Sequence, residues 1–560
     1  MKTRTQFLAA LATFLVFAVQ AATTHYVDLN SQNATAPFTS WPTAATNIQD
    51  AVDAASPGDT VLVTNGVYAT GGRAWFDSGT NRVTLTNAVT LQSVNGPQFT
   101  LIVGNRVAGT GLALTNTARC VGMGSSAVLS GFTLTNGEGG WANYPNGGGV
   151  AKVVGLPGSS IVTNCVLIGN LATNSVGGGA YRVTLIDCVI SGNSANQGGG
   201  ACACTLTRCT VVSNSASSGG GVYGSTTFGA SILTNCTLVG NSASIGGGGG
   251  AYGSTLVNCS LTGNFGGQAG GGAYGGALYS CLISNNAAGN GGGAYVSVLC
   301  NSLIVGNSAY SGGGLLGVII TNCTVVSNFA TNSGGGINGG SGSWSYNSIC
   351  YNNTAPDGSN SIGAKFINSC TAPNVFGGGI TNEPLFINLA GGDFHLQSNS
   401  PCINSGANAL ATGTSDLDGN PRIAGGTVDM GAYEFQSPAS LLSYAWAQQY
   451  GLATDGSEDF ADADGDHMNN WQEWLAGTVP TNAASALIMN KPAVNASGLQ
   501  LTWQSTNSKH YFVQRATDLS ASPAFSTIRS DLTGGATSTT YLDTTATNGG
   551  PYYYRVGVQP

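Results

Sequence analysis

Leu256-Val257-Asn258-Cys259-Ser260-Leu261-Thr262-Gly263-Asn264 returns 22 positions later as Leu278-Tyr279-Ser280-Cys281-Leu282-Ile283-Ser284-Asn285-Asn286. The same frame recurs along the middle of the chain. Cys165, Cys188, Cys209, Cys236, Cys259, Cys281 and Cys323 are each followed five residues later by Asn170, Asn193, Asn214, Asn241, Asn264, Asn286 and Asn328. Glycine runs opening at Gly147, Gly177, Gly198, Gly219, Gly246, Gly270, Gly291, Gly312 and Gly334 keep step with them. Self-similarity at a fixed short period is the mark of a solenoid.

The residues around each cysteine choose the kind of solenoid. An aliphatic residue stands two positions after it (Leu167, Ile190, Val211, Leu238, Leu261, Ile283, Val325), sharing its face of a strand. Another stands three before it (Val162, Leu185, Leu206, Leu233, Leu256, Leu278, Ile320) and breaks the parity, so a bend falls between, near Asn164, Asp187, Asn235, Asn258 and Asn322. Short strands joined by bends at one coil length make a parallel β-helix; helical repeats would need longer runs of 3.6 period. Coils stacked about 4.8 Å apart give roughly eleven coils between 128 and 370 and a rod near 50 Å long. Asparagine suits the bends because it tolerates left-handed backbone, and stacked amides bond from coil to coil.

Composition agrees. Of 560 residues 86 are Gly, 42% are hydrophobic and 7% are charged, which excludes charged disorder; Gly off a three-residue period with 17 Pro excludes collagen. A formal charge of −8 argues against a nucleic-acid partner. Residues 1–21 read as a signal peptide: Lys2 and Arg4 precede the apolar run Phe7 to Val19, and Val19-Gln20-Ala21 supplies a cleavage site. No later stretch is long and apolar enough to span a bilayer, so an exported protein, extracellular or at the outer cell surface, is expected. Fourteen cysteines in such a chain suggest disulfides. Stacking at one coil position instead favours buried, unpaired thiols, because side chains about 4.8 Å apart and pointing the same way do not meet disulfide geometry. Cys202-x-Cys204 is too tightly spaced for the usual zinc pair.

Gly-Gly-Ala-Tyr at 178–181, 249–252, 271–274 and 292–295, with Asn-Ser-Ala at 193, 214, 241 and 307, resembles the right-handed parallel β-helix repeats of the pectin-lyase-like superfamily, and especially those of polymorphic outer-membrane proteins and surface adhesins. Asn47 to Val52 and Gly58 to Tyr68 resemble the opening of such helices, a short helix and then a first strand. Ser400 to Asn404, Asp416 to Arg422 and Asp429 to Glu434 resemble the closing cap of secreted β-helix proteins of the choice-of-anchor type. The resemblance covers about 25–435. It implies polysaccharide or cell-surface partners, and it leaves lyases, hydrolases, epimerases and inert adhesins all open.

Charge counting bears on that choice. Between 110 and 380 the charged residues are Arg119, Glu138, Lys152, Arg182, Asp187, Arg208, Asp357 and Lys365, with no carboxylate cluster for acid–base chemistry. The four histidines, His25, His395, His467 and His510, lie outside the repeats. Asp187 reads as a turn residue, and Arg182 with Arg208 as a small basic strip for an acidic sugar. No catalytic residue is assigned. Two loops carry aromatic and charged groups suited to a sugar: Arg73, Trp75, Phe76, Asp77 and Arg82, then Glu138, Trp141 and Tyr144.

Beyond 435 the composition changes. Leu441 to Leu452 reads as a short helix, and Asp455 to Glu473 concentrates seven acids. Asp462, Asp464, Asp466 and Glu473 occupy positions 1, 3, 5 and 12 of a calcium loop, with a Met468 carbonyl at position 7 and Asn470 at position 9. The stretch resembles EF-hand, dockerin and thrombospondin type 3 loops, with His467 where glycine is usual. Residues 486–560 alternate in the β manner and are similar to a fibronectin type III module, with Trp503 and the Tyr-rich last strand expected in its core. The expected organisation is therefore all-β: signal peptide 1–21, parallel β-helix 22–435, helix and calcium-loop linker 436–485, and β-sandwich 486–560. The expected function is a non-catalytic, carbohydrate-contacting adhesin. The alternatives are a polysaccharide lyase or glycoside hydrolase with its site in the early loops, and a structural surface-layer component.

Overall fold

A computed structural model describes residues 22–74, 80–106, 117–139, 146–152, 158–340, 342–373, 379–507, 509–546 and 550–559. The signal-peptide reading, Trp75, Phe76, Asp77, Trp141 and Tyr144 fall outside the described residues. The chain forms two compact units, Met1–Cys209 and Thr210–Pro560. Both contain the coils of a parallel β-solenoid.

In the first unit, α1 (Ile48–Ala54) is capped by the Asn47 side chain, which accepts from the Asp50 N–H, and buries Ile48, Ala51 and Val52. The first strands follow as Thr60–Val63 and Gly66–Tyr68, the opening arrangement expected from the sequence. Each later coil has three faces: a first face of two short strands, then a second and a third. In one coil these are Ala180–Tyr181 with Thr184–Ile186, Val189–Ser191 and Ser194–Gln197. Pairing is parallel and in register, Val162 on Leu185 on Leu206 and Leu134 on Leu167 on Ile190. All six of these side chains have no exposed surface. Each removes an aliphatic group from water, worth about 1.5–3 kcal/mol.

The second unit repeats the coil. Leu233, Leu256, Leu278, Leu299 and Ile320 stack on the first face. Val211, Leu238, Leu261, Ile283, Ile304 and Val325 stack on the second. Among the described residues the second face has three strands between 128 and 209 and eight in the second unit, eleven as the repeat length leads one to expect.

The bends lie where parity breaks. Asn164, Asp187, Asn235, Asn258 and Asn322 have φ between 49° and 55°, the left-handed region that asparagine and aspartate tolerate best among side-chain-bearing residues. Each asparagine of the repeat ladder is buried. The Asn264 N–H and Nδ2 both donate to Asn286 Oδ1 at 2.9 Å, and Asn264 Nδ2 also reaches the Leu238 carbonyl at 3.0 Å. The ladder also includes Asn307 and Asn353, where serine replaces cysteine five residues earlier. The reason is chemical equivalence. Cys259 Sγ accepts from the Cys236 N–H, and Ser302 and Ser348 hydroxyls accept likewise from the Cys281 and Cys323 N–H groups. None of the fourteen cysteines is joined in a disulfide, and all but Cys300 are buried. Burial pushes the Cys204 and Cys120 thiols up to about 12.

Within a glycine triplet the members do different work. Gly291 takes φ 58°, whereas a Cβ on Gly293 would meet the Gly314 carbonyl oxygen of the next coil at 2.7 Å. In the five-residue run the member with positive φ is Gly248, not the opening Gly246.

After the last coil the second unit folds back on itself. Phe386, Phe394, Leu396, Ile403 and Met430 cover the outer side of the second face, so Leu303 is 6% exposed where its uncovered predecessor Leu282 is 37% exposed. The returning chain bonds three successive bends: Asn301 to the Ser415 carbonyl, Asn322 from the Thr412 N–H, and Asn347 to the Ala407 carbonyl. The cap sequence noted above is a buried polar knot. Arg422 pairs with Glu434 at 2.9 Å and donates to the Gly431 and Ala432 carbonyls, while Asp429 accepts from the Asn404 and Phe435 N–H groups.

The chain ends in two three-stranded antiparallel sheets. One holds Ala493–Asn495, Gly498–Gln504 and Ser538–Asp543; the other holds Ser526–Thr533, His510–Ala516 and Tyr553–Val558. Leu501, Trp503, Tyr511 and Val513 form their common core. Trp503 is core, as expected, and the Tyr-rich strand joins it in part: Tyr554 packs against the core half-buried, whereas Tyr553 is exposed. Among the described residues no helix is long and apolar enough to cross a membrane.

Candidate metal centre

Two short helices frame the acidic segment. α2 (Tyr444–Gln449) starts on the Ser443 hydroxyl. α3 (Asn470–Ala476) starts on Asn469 in a capping box with Gln472 and stops at Gly477, φ 73°. The loop before α3 is shaped by its own carboxylates. Asp462 accepts from the Gly465 and His467 N–H groups at 2.8 and 3.0 Å, Asp464 from Asp466 at 3.3 Å, and Asp466 from Met468 at 2.7 Å. Gly465 and His467 take φ of 80° and 75°. His467 thus supplies the left-handed turn usually given to glycine.

Oxygens of Asp462, Asp464 and Asp466 lie within 4.8 Å of one another. Asn470 and Glu473 have no exposed surface. One oxygen on each of Asp464, Asp466, Asn470 and Glu473 is buried without a hydrogen-bond partner. The other end of each buried pair member is held: Asn470 Nδ2 donates to the Glu458 carbonyl at 2.8 Å, and Glu473 Oε1 faces the Thr478 hydroxyl at 3.5 Å. Burial, and then the charges of Asp464, Asp466 and Asp462, push the Glu473 carboxyl up to about 7. Met468, whose carbonyl is the expected position-7 donor, sits between them, with its sulfur accepting from the Leu487 N–H at 3.2 Å.

Buried oxygens without partners are costly, about 1–3 kcal/mol each and more when charged. A hard divalent cation is the partner such oxygens take, and those of Asp462, Asp464 and Asp466 are close enough together to share one. The donor set, all oxygen with three to four carboxylates, fits calcium.

The loop is tied on both sides. Asp459 accepts from the Ser440 hydroxyl at 2.6 Å and the Leu441 N–H at 2.8 Å, and its carbonyl accepts from the Trp471 N–H. Tyr444 at the start of α2 donates its N–H to the Ile403 carbonyl of the cap. On the far side, Lys509 and Thr506 reach the Trp474 and Gly477 carbonyls at the end of α3.

Other residues singled out in the sequence have structural partners. Arg73 pairs with Asp53, and Arg82 donates to the Val103, Gly104 and Gly71 carbonyls. Glu138 is 2% exposed. Arg208 makes a two-pronged pair with Asp187 at 2.7 and 2.8 Å, and Arg182 lies over the Tyr181 ring. The expected basic strip of Arg182 and Arg208 is thus replaced by a neutralised pair and a cation–π contact.

Sequence reading passed over a histidine cluster. His395 Nδ1 meets Asp393 at 2.6 Å and Nε2 meets Asp418 at 2.7 Å, with the Tyr433 ring 4.2 Å from the imidazole. The Asp393-x-His395 spacing, which puts both side chains on one strand face, was the available signal.

No protein-family model matches the chain, and no curated protein matches it. Several solved structures resemble it. Pectate lyase Pel9A matches at 13% identity over 74% of this chain and 97% of its own, with a TM-score of 0.34. The PL6 family alginate lyase AlyGC matches at 14% identity over 62% and 53%, with a TM-score of 0.36. A polygalacturonase from Erwinia carotovora matches at 13% identity over 66% and 98%, with a TM-score of 0.28. Likenesses at this level say nothing of what the chain acts on.

Proposed function

We propose that the protein is a secreted or surface-displayed β-solenoid that contacts carbohydrate without cleaving it, and that calcium braces the segment between its cap and a C-terminal fibronectin-III-like sandwich. The observation that carries the reading is the set of buried, unpartnered oxygens on Asp464, Asp466, Asn470 and Glu473. Asp462 and the Met468 carbonyl complete the shell. Extracellular loops of this type bind at about 10⁻⁴ to 10⁻³ M, so such a brace suits a calcium-rich exterior.

Four of the charged residues of the described coils support a passive surface. Arg119 is buried and donates to the Gly147 carbonyl and Asn81, Glu138 is buried, and Asp187 and Arg208 are spent on each other. Arg73 and Arg82, the cations of the early loop, are engaged by Asp53 and by backbone carbonyls.

Purified protein assayed against acidic and neutral polysaccharides, with binding and product formation measured separately, tests the reading. Binding without products is the expected result. Products that vanish in Arg73→Ala or Asp77→Ala would replace it with the lyase or hydrolase reading.

A further inference from the structure

The terminal sheets do not close on each other at one side. There a cleft of about 610 Å³ lies between the edge hairpin of one sheet and the start of the last strand of the other. Its walls include Val494, Asn495, Ser497 and Leu499 from the hairpin and Tyr552 and Tyr554 from the facing strand. The volume is within the range of small-ligand sites, roughly 300–1,000 Å³.

Three features narrow the ligand. No described lining residue carries a charge. The ions that touch the two tyrosines, Arg515 and Asp543, are paired at 2.7 Å, with the Asp543 side chain 2% exposed. Both tyrosines have partners: Tyr554 donates its hydroxyl to Asp543 at 2.8 Å, and the Arg515 guanidinium lies 5.2 Å from the Tyr552 ring centre. The rings lie 6.4 Å apart and inclined at 46°, with Tyr554 preset by its hydroxyl bond. Opposite them, Asn495 and Ser497 bring an amide and a hydroxyl on an exposed turn, next to Val494 at 85% exposure. Aromatic walls with small polar groups and no net charge match a molecule that has apolar C–H faces and many neutral hydroxyls.

We propose that this cleft is a binding site for neutral oligosaccharide, which would place the carbohydrate contact of the proposed function in the C-terminal sandwich and rests on that reading. A preset ring lowers the ordering cost of binding.

The test is saturation-transfer NMR on the full chain in calcium buffer, with cellohexaose, mannohexaose and hexagalacturonate as probes. Two variants accompany the native chain: Tyr552→Ala, which removes a wall, and Ser497→Trp, which fills the cleft from an exposed turn and leaves the core untouched. Transfer to a neutral hexaose, weakened about tenfold or more in both variants with the melting midpoint retained, is the expected result. Binding that survives both variants overturns the proposal and leaves carbohydrate contact elsewhere on the protein intact. Binding of hexagalacturonate alone overturns the neutral assignment. Absence of transfer to every probe overturns this site and the carbohydrate reading together.

Discussion

Val296 occupies a left-handed bend, φ 48°, where the neighbouring coils place Gly275 at 65° and Gly317 at 66°. A β-branched residue is strained there, and its side chain is 53% exposed, so it recovers little by burial. Val296→Asn is expected to stabilise the second unit by about 1 kcal/mol, read as a rise in the melting midpoint. The same scale shows what single residues disclose in sequence. The Cys-to-Asn spacing exposes most of the asparagine ladder and the Asn-Ser-Ala motif adds Asn307, but Asn353 hides behind Ser348, because a hydroxyl accepts the same N–H that a thiol does. Likewise the 1, 3, 5, 9, 12 spacing of the acidic loop is legible. The burial that strips Asn470 and Glu473 of partners is not, since it depends on packing around α3.

The cap is an element whose worth lies in its polar knot. Glu434 accepts from Arg422 and from the Ala424 and Asp429 N–H groups in a site with no exposed side-chain surface. Glu434→Gln replaces one of two acceptor oxygens by a donor and removes the carboxylate bonded to the buried Arg422. The expected loss is about 3–5 kcal/mol, seen as hydrogen exchange across 401–435 accelerated at least about 100-fold. A gentler dependence comes from His395. Burial pulls its pKa down, but the bonds to Asp418 and Asp393 more than offset this, and the net shift is upward from 6.5. The stabilisation is thus complete below pH 6.5 and lost as pH rises through the folded-state value. Asp393, lowered chiefly by its bonds to His395, contributes above 3.8 and loses its contribution as pH falls through its own folded value. A melting midpoint that declines above pH 6.5 more steeply in the native chain than in His395→Gln is the expected pattern, the remaining decline reflecting ionisation of Glu473. The other groups facing the imidazole, Asp418 and the Tyr433 ring, do not reverse that sign, since burial and the neighbouring aspartates push Tyr433 up to about 12.

For the molecule, calcium is the test of the proposed brace. At about 100 times the dissociation constant a ligand adds about 2.7 kcal/mol, enough to raise the midpoint of the transition that includes residues 436–560 by about 5–10 °C. Glu473→Gln makes two opposite changes: it removes a buried like charge, so the calcium-free midpoint rises, and it removes a ligand, so the calcium response shrinks. Calorimetry with and without calcium reads both; a native-sized response in the variant would reject the assignment.

The segment that returns along the bends at Asn301, Asn322 and Asn347 also has a mechanical meaning. A solenoid under tension from its end peels one coil at a time, each of the coils next to the cap, 21 to 25 residues long, paying out about 7–9 nm of chain. Here the end of the solenoid is stitched to three coils at once, so load entering from the C-terminal sheets meets those stitches in parallel before any coil can unwind. The cap acts as a seam lock, converting a zipper that would open tooth by tooth into a joint that yields at a threshold.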